Sequence, residues 1–81
     1  MPSTSVTVGS SVGLHARPAA LIAEAAGALE STVTINGVDA SSSLMIMTLG
    51  AKYGDTVEVA GEDQQAVDSI AALVEQDLDV D

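Results

Sequence analysis

Three short segments of this chain place valine or isoleucine at every second position, and this pattern constrains the fold more than any other feature. The pairs are Val6 with Val8, Val33 with Ile35, and Val57 with Val59. A period of two is typical of a strand that buries one of its faces. We therefore predict strands over residues 3–8, 32–36 and 56–60, with all six of these side chains directed inward.

A fourth strand is predicted directly after the second one. Asn36-Gly37 supplies the two positive-φ positions of a type I′ turn, which joins adjacent antiparallel strands. Residues 38–40 then form a short returning strand. The other face of the strands carries serine, threonine and glutamate, so we expect that face of the sheet to contact water.

Three other segments are predicted to be helices, and the first and last of them show the 3.6-residue period of a helix. The first runs from Ala16 to about Leu29, and its apolar stripe consists of Pro18, Ile22, Ala25 or Ala26, and Leu29. Pro18 fits the first turn, where a missing N–H costs nothing. The second helix is only two turns long, over residues 44–49. The third follows residues 61–63, and its stripe consists of Val67, Ile70, Ala71, Val74 and Leu78.

Local residues also indicate where these helices begin and end. Ser41, Ser42 and Ser43 are N-cap candidates for the second helix, and Gly50 is suited to end it in the left-handed conformation. The acids in residues 61–63 favour the start of the third helix. The element order is therefore β-α-β-β-α-β-α. This order predicts an α+β fold with four largely antiparallel strands and helices on one face.

Composition limits the number of domains, the make-up of the core and the expected cellular compartment. At 81 residues the chain is predicted to be a single domain, residues 1–81. It has no Phe, Trp or Cys, so its core consists of smaller aliphatic residues and Met, and we expect a stability of about 5 kcal/mol. The lack of Cys suits a reducing cytosol. Because neither a targeting signal nor a membrane span is recognisable, we expect a soluble cytoplasmic protein.

Charge excludes two classes of partner. The net charge is −10, and Arg17 and Lys52 are the only Arg or Lys residues against twelve acids. Such a surface repels nucleic acid and anionic lipid, so we expect neither as a partner and no membrane insertion. Nine of the acids lie from Asp55 onward, and none precedes Glu24. The segment that holds the only histidine is therefore free of acidic side chains.

That histidine, His15, lies in the stretch GLHARPAA together with Arg17. A lone histidine before a helix is often no more than an exposed loop residue. Here, however, the backbone N–H groups of Ala16 and Arg17 begin a helix, and the guanidinium fork suits phosphate oxygens. The positive helix end also disfavours imidazolium, so we expect His15 to be neutral and nucleophilic near neutral pH. These features together predict a site for a phosphoryl group.

Other chemistries are poorly supplied by this sequence. A zinc site needs three or four ligands, and there is one His and no Cys. No nucleophile elbow and no glycine-rich phosphate loop is present. We therefore expect no metal and no bound cofactor. We interpret the chain as a carrier of a group between larger partners rather than as a stand-alone enzyme.

GLHARPAA, followed about thirty residues later by SSSLMIMTLG, resembles the HPr family of histidine phosphocarriers, in its actinobacterial form. These proteins serve the bacterial sugar phosphotransferase system, and the resemblance covers essentially the whole chain. It implies an open-faced β-sandwich with four antiparallel strands and three helices on one side. It also implies that Enzyme I, charged by phosphoenolpyruvate, phosphorylates His15 on Nδ1, that Arg17 steadies the phosphate, and that the group passes to the EIIA part of a sugar permease.

The same resemblance implies a surface for these partners, made of Ala16, Ala20, Leu44, Met47 and Thr48. Residues 44–49 agree in part, because nearly all of them are apolar and a two-turn helix buries only one face. Methionine also suits surfaces that fit several partners. The alternative, that Met45 and Met47 merely fill a core without aromatic residues, stays open for each of them.

Ser42 matches a serine that a dedicated kinase phosphorylates in some branches of the family. A helix N-cap is the interpretation we favour for it, with regulation as the alternative. Two rival functions are kept: a paralogue in a nitrogen-related phosphorelay, and a regulatory binding module that no longer transfers phosphate. The presence of both His15 and Arg17 favours a carrier, which we expect to be a monomer.

Overall fold

The computed structural model describes residues 2–10, 13–14 and 16–76. Its strands are β1 (Ser3–Thr7), β2 (Val33–Ile35), β3 (Val38–Asp39) and β4 (Thr56–Gly61). Its helices are α1 (Ala16–Gly27), α2 (Ser43–Thr48) and α3 (Gln64–Glu75). They follow one another as β1-α1-β2-β3-α2-β4-α3, so the predicted order of elements is confirmed.

The four strands form one antiparallel sheet in the order β1-β4-β2-β3. Val6 of β1 lies opposite Val57 of β4, which places two inward side chains of the alternating pattern side by side. The other face of the sheet is open, and its exposed residues include Ser5, Thr7, Thr56 and Glu58. The predicted four-stranded open-faced sandwich with three helices is therefore confirmed.

The core lies between the covered face of the sheet and the helices. All six side chains that the alternation assigns to the inside are at most 7% exposed. Ile22 of α1, Ile46 of α2 and Ile70 of α3 join them and are fully buried. Branched aliphatic side chains thus fill the core of the described part of the chain.

The hairpin turn and the caps of α2 form as predicted. Asn36 and Gly37 have φ angles of 50° and 86°, as a type I′ turn requires. Ser42 is the N-cap of α2, and its hydroxyl oxygen accepts a hydrogen bond from the N–H of Met45 at 3.3 Å. Gly50, with a φ of 65°, follows Leu49, the C-cap of the helix. These local signals therefore set both ends of the shortest helix.

The strand ends differ slightly from the prediction. Val8 falls outside β1, and its N–H donates to the carbonyl oxygen of Asp55 at 2.8 Å, in the loop before β4. Asn36 falls outside β2 because its positive φ already belongs to the turn. β4 instead extends one residue further than predicted, to Gly61, which pairs with Val33.

α1 ends earlier than its apolar stripe suggests. The prediction placed its end near Leu29, but the helix stops at Gly27. The N–H of Leu29 donates to the carbonyl oxygen of Ala26 at 3.2 Å, so the hydrogen bonding tightens to an i→i−3 pattern there. Leu29 is still half-buried against the core, which explains why it fits the stripe without being helical.

α3 begins where the acidic turn predicts. Asp63 is its N-cap, and a carboxylate oxygen of this residue accepts the N–H of Gln65 at 3.0 Å. The buried face of α3 includes Val67, Ile70, Ala71 and Val74. Leu78, the last predicted member of the stripe, lies outside the described residues. Within the described part, no helix has the length and apolar character needed to cross a membrane.

Candidate functional site

The loop before α1 is held against the loop after α2. The N–H of Leu14 donates to the carbonyl oxygen of Ala51 at 3.0 Å, and the Leu14 side chain is buried. Gly13 has a φ of 75°, and a Cβ at this position would lie 2.5 Å from the Ala51 oxygen, so any other residue would push the two loops apart. The GLHARPAA stretch is therefore anchored directly before His15, which itself lies outside the described residues.

A second set of contacts ties the same loop to the end of α3. The N–H of Gly9 donates to the backbone carbonyl oxygen of Val74 at 3.0 Å, and the hydroxyl of the fully buried Ser10 donates to the backbone carbonyl oxygen of Gln76 at 3.3 Å. The N–H of Gly13 then donates to the Ser10 carbonyl at 2.8 Å. The sequence showed this stretch only as a loop, because the partner of Ser10 lies 66 positions away along the chain.

The first turn of α1 divides its residues between the core and the surface. Pro18 and Ala19 are buried, whereas Ala16 and Arg17 are exposed. The first N–H groups of any helix have no carbonyl partner within the helix, and they give its start a partial positive charge. The guanidinium of Arg17 is attached to this same turn. A helix start and a permanent cation therefore lie within two residues of His15 along the chain.

α2 presents an apolar face to the surface. Leu44 is 67% exposed, Met45 is 42% exposed, and Thr48 is exposed as well. Positions 44, 45 and 48 share one side of the helix because residues three or four apart are neighbours there. Ile46 is buried, and Met47 is half-buried against the core. The two methionines of this helix thus have different surroundings.

The predicted partner residues lie on two helices that pack against each other, α1 and α2. Four of them are exposed and Met47 is half-buried; the exposed four are Ala16, Ala20, Leu44 and Thr48. Two further apolar residues of these helices are exposed: Met45 on α2 and Leu21 on α1, which is 41% exposed. Leu21 could have been found as an apolar residue beside the buried stripe of α1. We call the six exposed residues the α1–α2 surface: Ala16, Ala20, Leu21, Leu44, Met45 and Thr48.

Ser42 has a structural task in the fold. Besides the hydrogen bond to its hydroxyl, the backbone carbonyl oxygen of Ser42 accepts a hydrogen bond from the N–H of Ile46 at 3.0 Å. The N–H of Ser42 donates to the backbone carbonyl oxygen of Asp39 at 3.2 Å. The N-cap interpretation is confirmed. A regulatory phosphorylation of Ser42 stays a prediction.

Asp39 adds a fixed negative charge just before α2. The hydroxyl of Ser41 donates to its carboxylate at 2.7 Å and the Ser41 N–H donates at 2.9 Å. These hydrogen bonds, the one from the hydroxyl most of all, lower the pKa of Asp39.

Among the residues that the structure describes, no group of three or more His, Cys, Asp or Glu is arranged to hold a metal ion.

Comparisons with known proteins agree with this geometry. Residues 2–76 match a family model described as the PTS HPr component phosphorylation site. Phosphocarrier protein HPr of Streptomyces coelicolor is 36% identical, over 98% of this chain and 94% of that protein. Phosphocarrier protein NPr of Proteus mirabilis is 30% identical, over 94% and 93%. The crystal structure of HPr-C-His from Thermoanaerobacter tengcongensis matches with a TM-score of 0.87 at 28% identity, over 100% of this chain and 99% of that one.

Proposed function

The chain belongs to the HPr family of phosphotransferase-system phosphocarriers, and we propose that it takes a phosphoryl group from Enzyme I on Nδ1 of His15 and passes it to an EIIA domain. In the first step a P–N bond forms at His15 while the bond from phosphorus to its donor on Enzyme I breaks. In the second step that P–N bond breaks as EIIA accepts the group. One observation carries the proposal: GLHARPAA opens α1 on an anchored loop, beside an exposed apolar surface.

The chemistry asks little of so small a protein. Phosphoryl transfer depends on in-line positioning and charge neutralisation more than on covalent machinery. The guanidinium of Arg17 and the N–H groups of Ala16 and Arg17 stabilise the phosphate oxygens. A neutral His15 offers the Nδ1 lone pair for attack. Once phosphorylated, the ring has a higher pKa because of the added negative charge, and its protonation favours departure of the group to EIIA.

The α1–α2 surface provides the docking site for both partners. Its residues Leu44 and Met45 are large, apolar and exposed, so covering them with a partner removes apolar area from water. The flexible thioether of Met45 adapts to two differently shaped partners better than a branched side chain does. We expect the carrier to act as a cytoplasmic monomer, because each transfer needs this surface uncovered.

The direct test is phosphorylation with labelled phosphoenolpyruvate and Enzyme I. We expect label that is lost in acid and retained in base, as for a phosphohistidine, and that is absent from His15→Ala. Labelled protein mixed with EIIA should then lose the label to it. No label, under conditions in which a known HPr is charged, would contradict the carrier function and favour the binding module.

Arg17 has its own matched pair of variants. We expect Arg17→Ala to keep the fold and to slow transfer about thirtyfold, the equivalent of a charged hydrogen bond worth about 2 kcal/mol. Arg17→Lys keeps the charge without the planar fork, so its rate should lie between those of the wild type and Arg17→Ala. An unchanged rate in Arg17→Ala would remove this residue from the site.

The NPr relative gives the nitrogen-related phosphorelay a place as second candidate. Both candidates share the chemistry at His15 and differ in the acceptor. Offering the phosphorylated protein a sugar-permease EIIA and a nitrogen-branch EIIA in competition distinguishes them. Faster transfer to the sugar-permease domain is the result that we expect.

A further inference from the structure

The two basic residues of the chain, apart from His15, are brought to the same end of the molecule. Arg17 is exposed in the first turn of α1, and Lys52 is exposed in the loop between α2 and β4. Gly13 lies against that loop, because a Cβ on it would be 2.9 Å from the Cα of Lys52. The backbone of Lys52 therefore touches the segment that leads into His15.

The position of the Lys52 backbone is fixed by hydrogen bonds within its own turn. Its N–H donates to the carboxylate of Asp55 at 2.9 Å, and the N–H of Asp55 donates back to the Lys52 carbonyl at 2.9 Å. The N–H of Gly54 donates to Val8 at 3.0 Å, which ties the turn to the end of β1. Replacing the Lys52 side chain therefore leaves these backbone contacts in place.

We propose that Lys52 supplies a second positive charge to the phosphohistidine site, in addition to Arg17; this inference rests on the proposed function of His15. Chain geometry keeps the Cα of His15 within about 7 Å of the Cα of Gly13. The four-carbon stem of lysine carries its ammonium group about 6 Å from its own Cα. These lengths put a phosphoryl group on His15 within reach of the Lys52 ammonium group when the two side chains extend toward each other.

The charge of the molecule makes a second cation consequential. The net charge is −10, and a phosphoryl group adds about −1.5 to −2 at pH 7. The carboxylate of Asp55 lies in the same turn and offsets part of the Lys52 charge. Arg17, with its planar fork, is suited to orient the phosphate, whereas the compact ammonium group of Lys52 acts as a point charge through its field. The two cations thus divide the work of positioning and neutralisation.

The test is an NMR titration of His15 in the unphosphorylated protein, which needs neither Enzyme I nor EIIA. A nearby cation disfavours imidazolium, so Lys52→Gln should raise the pKa of His15 and Lys52→Arg should leave it near the wild-type value. Arg17→Gln is the positive control and should also raise it. Glu62→Gln changes the net charge by one at the opposite end of β4, about 17 Å away, and should leave the titration unchanged.

Transfer kinetics give a second readout. Lys52→Gln should slow transfer from Enzyme I about threefold at low salt, and the difference should vanish near 1 M salt as charges are screened. Lys52→Arg should restore the rate. If Lys52→Gln slows transfer without raising the pKa of His15, Lys52 contacts a partner instead, and the proposal is overturned. An unchanged pKa together with an unchanged rate overturns it as well. Failure of the wild type to accept phosphate would contradict the carrier function but leave the titration result standing.

Discussion

Gly13→Ala measures how firmly the loop before His15 is anchored. At a φ of 75°, an alanine costs about 1 kcal/mol more than glycine. Its Cβ would also lie 2.5 Å from the Ala51 carbonyl oxygen and 2.9 Å from the Lys52 Cα, and backbone atoms cannot rotate away as a side chain does. The loop must therefore separate from Ala51, which weakens the 3.0 Å hydrogen bond from Leu14 and costs about another 1 kcal/mol.

The chain offers a matched control in Gly50→Ala. Gly50 has a φ of 65°, but a Cβ there would meet no atom within 4 Å, so only the conformational cost of about 1 kcal/mol applies. Adding partial exposure of the buried Leu14, we expect Gly13→Ala to lose about 3 kcal/mol of unfolding free energy. With a urea m-value of about 1 kcal/mol/M for a chain of this size, the urea midpoint should fall by about 3 M in Gly13→Ala and by about 1 M in Gly50→Ala.

Hydrogen exchange adds a local readout to the urea melts. The Leu14 amide should exchange much faster in Gly13→Ala than in Gly50→Ala, because its bond to Ala51 is the one that opens. Equal losses of stability in the two variants, with equal protection of the Leu14 amide, would show that the close approach at Gly13 relaxes without cost. The anchoring of the loop, and with it the placement of Lys52 beside it, would then be refuted.

Three other predictions concern α2 and the turn before it. Leu44→Glu should change the free energy of unfolding by less than about 0.5 kcal/mol, because Leu44 is 67% exposed, but it should slow transfer from Enzyme I at least tenfold. Ile46→Ala, at a fully buried position, should instead lower the free energy of unfolding by about 2 to 4 kcal/mol in urea. Ser42→Ala should cost about 1 kcal/mol in the same assay through loss of the N-cap, and no loss would contradict the capping role. Hydrogen bonds from Ser41 lower the pKa of Asp39 in the folded protein. The Asp39 carboxylate therefore stabilises the fold at pH values above its unfolded pKa of about 3.9. This stabilisation is lost as the pH falls through the lower pKa of the folded protein. Asp39→Asn should therefore be less stable than the wild type at pH 7, and the two unfolding curves should converge in acid; a gap that is the same at pH 7 and pH 2 would contradict this linkage.

The elements of the fold could be predicted because their signals are local. Val57 and Val59 show the face of β4 without knowledge of its neighbours. Asn36-Gly37 requires only its own two positive φ angles to set the hairpin between β2 and β3. Ser42 caps α2 through a hydrogen bond to a residue three positions away. Each of these features depends on a few adjacent residues, so a single sequence contains what is needed to recognise it.

The contacts that shape the site could not be predicted, because their partners are distant in sequence. Gly9 looks like an ordinary loop glycine, yet a Cβ there would overlap the carbonyl oxygen of Glu75 at the end of α3. The methionines pose a related problem. In a helix as apolar as α2 the pattern does not set the buried face, so only packing against α1 and the core determines that Met45 is exposed and Met47 is half-buried.

The pairing of β1 with β4 explains how the loop before α1 meets the loop between α2 and β4, although the two are distant in sequence. Thr7 lies opposite Thr56, so the residues that follow β1 and those that precede β4 must emerge at the same end of the sheet. The hydrogen bonds between Val8 and the turn before β4 continue this pairing beyond the strands, and the bond from Leu14 to Ala51 completes it. A register shift of one residue would move the turn by about 3.3 Å and reverse the inward face of β4. The valines that fix the register in the core therefore also determine where Lys52 lies relative to the start of α1.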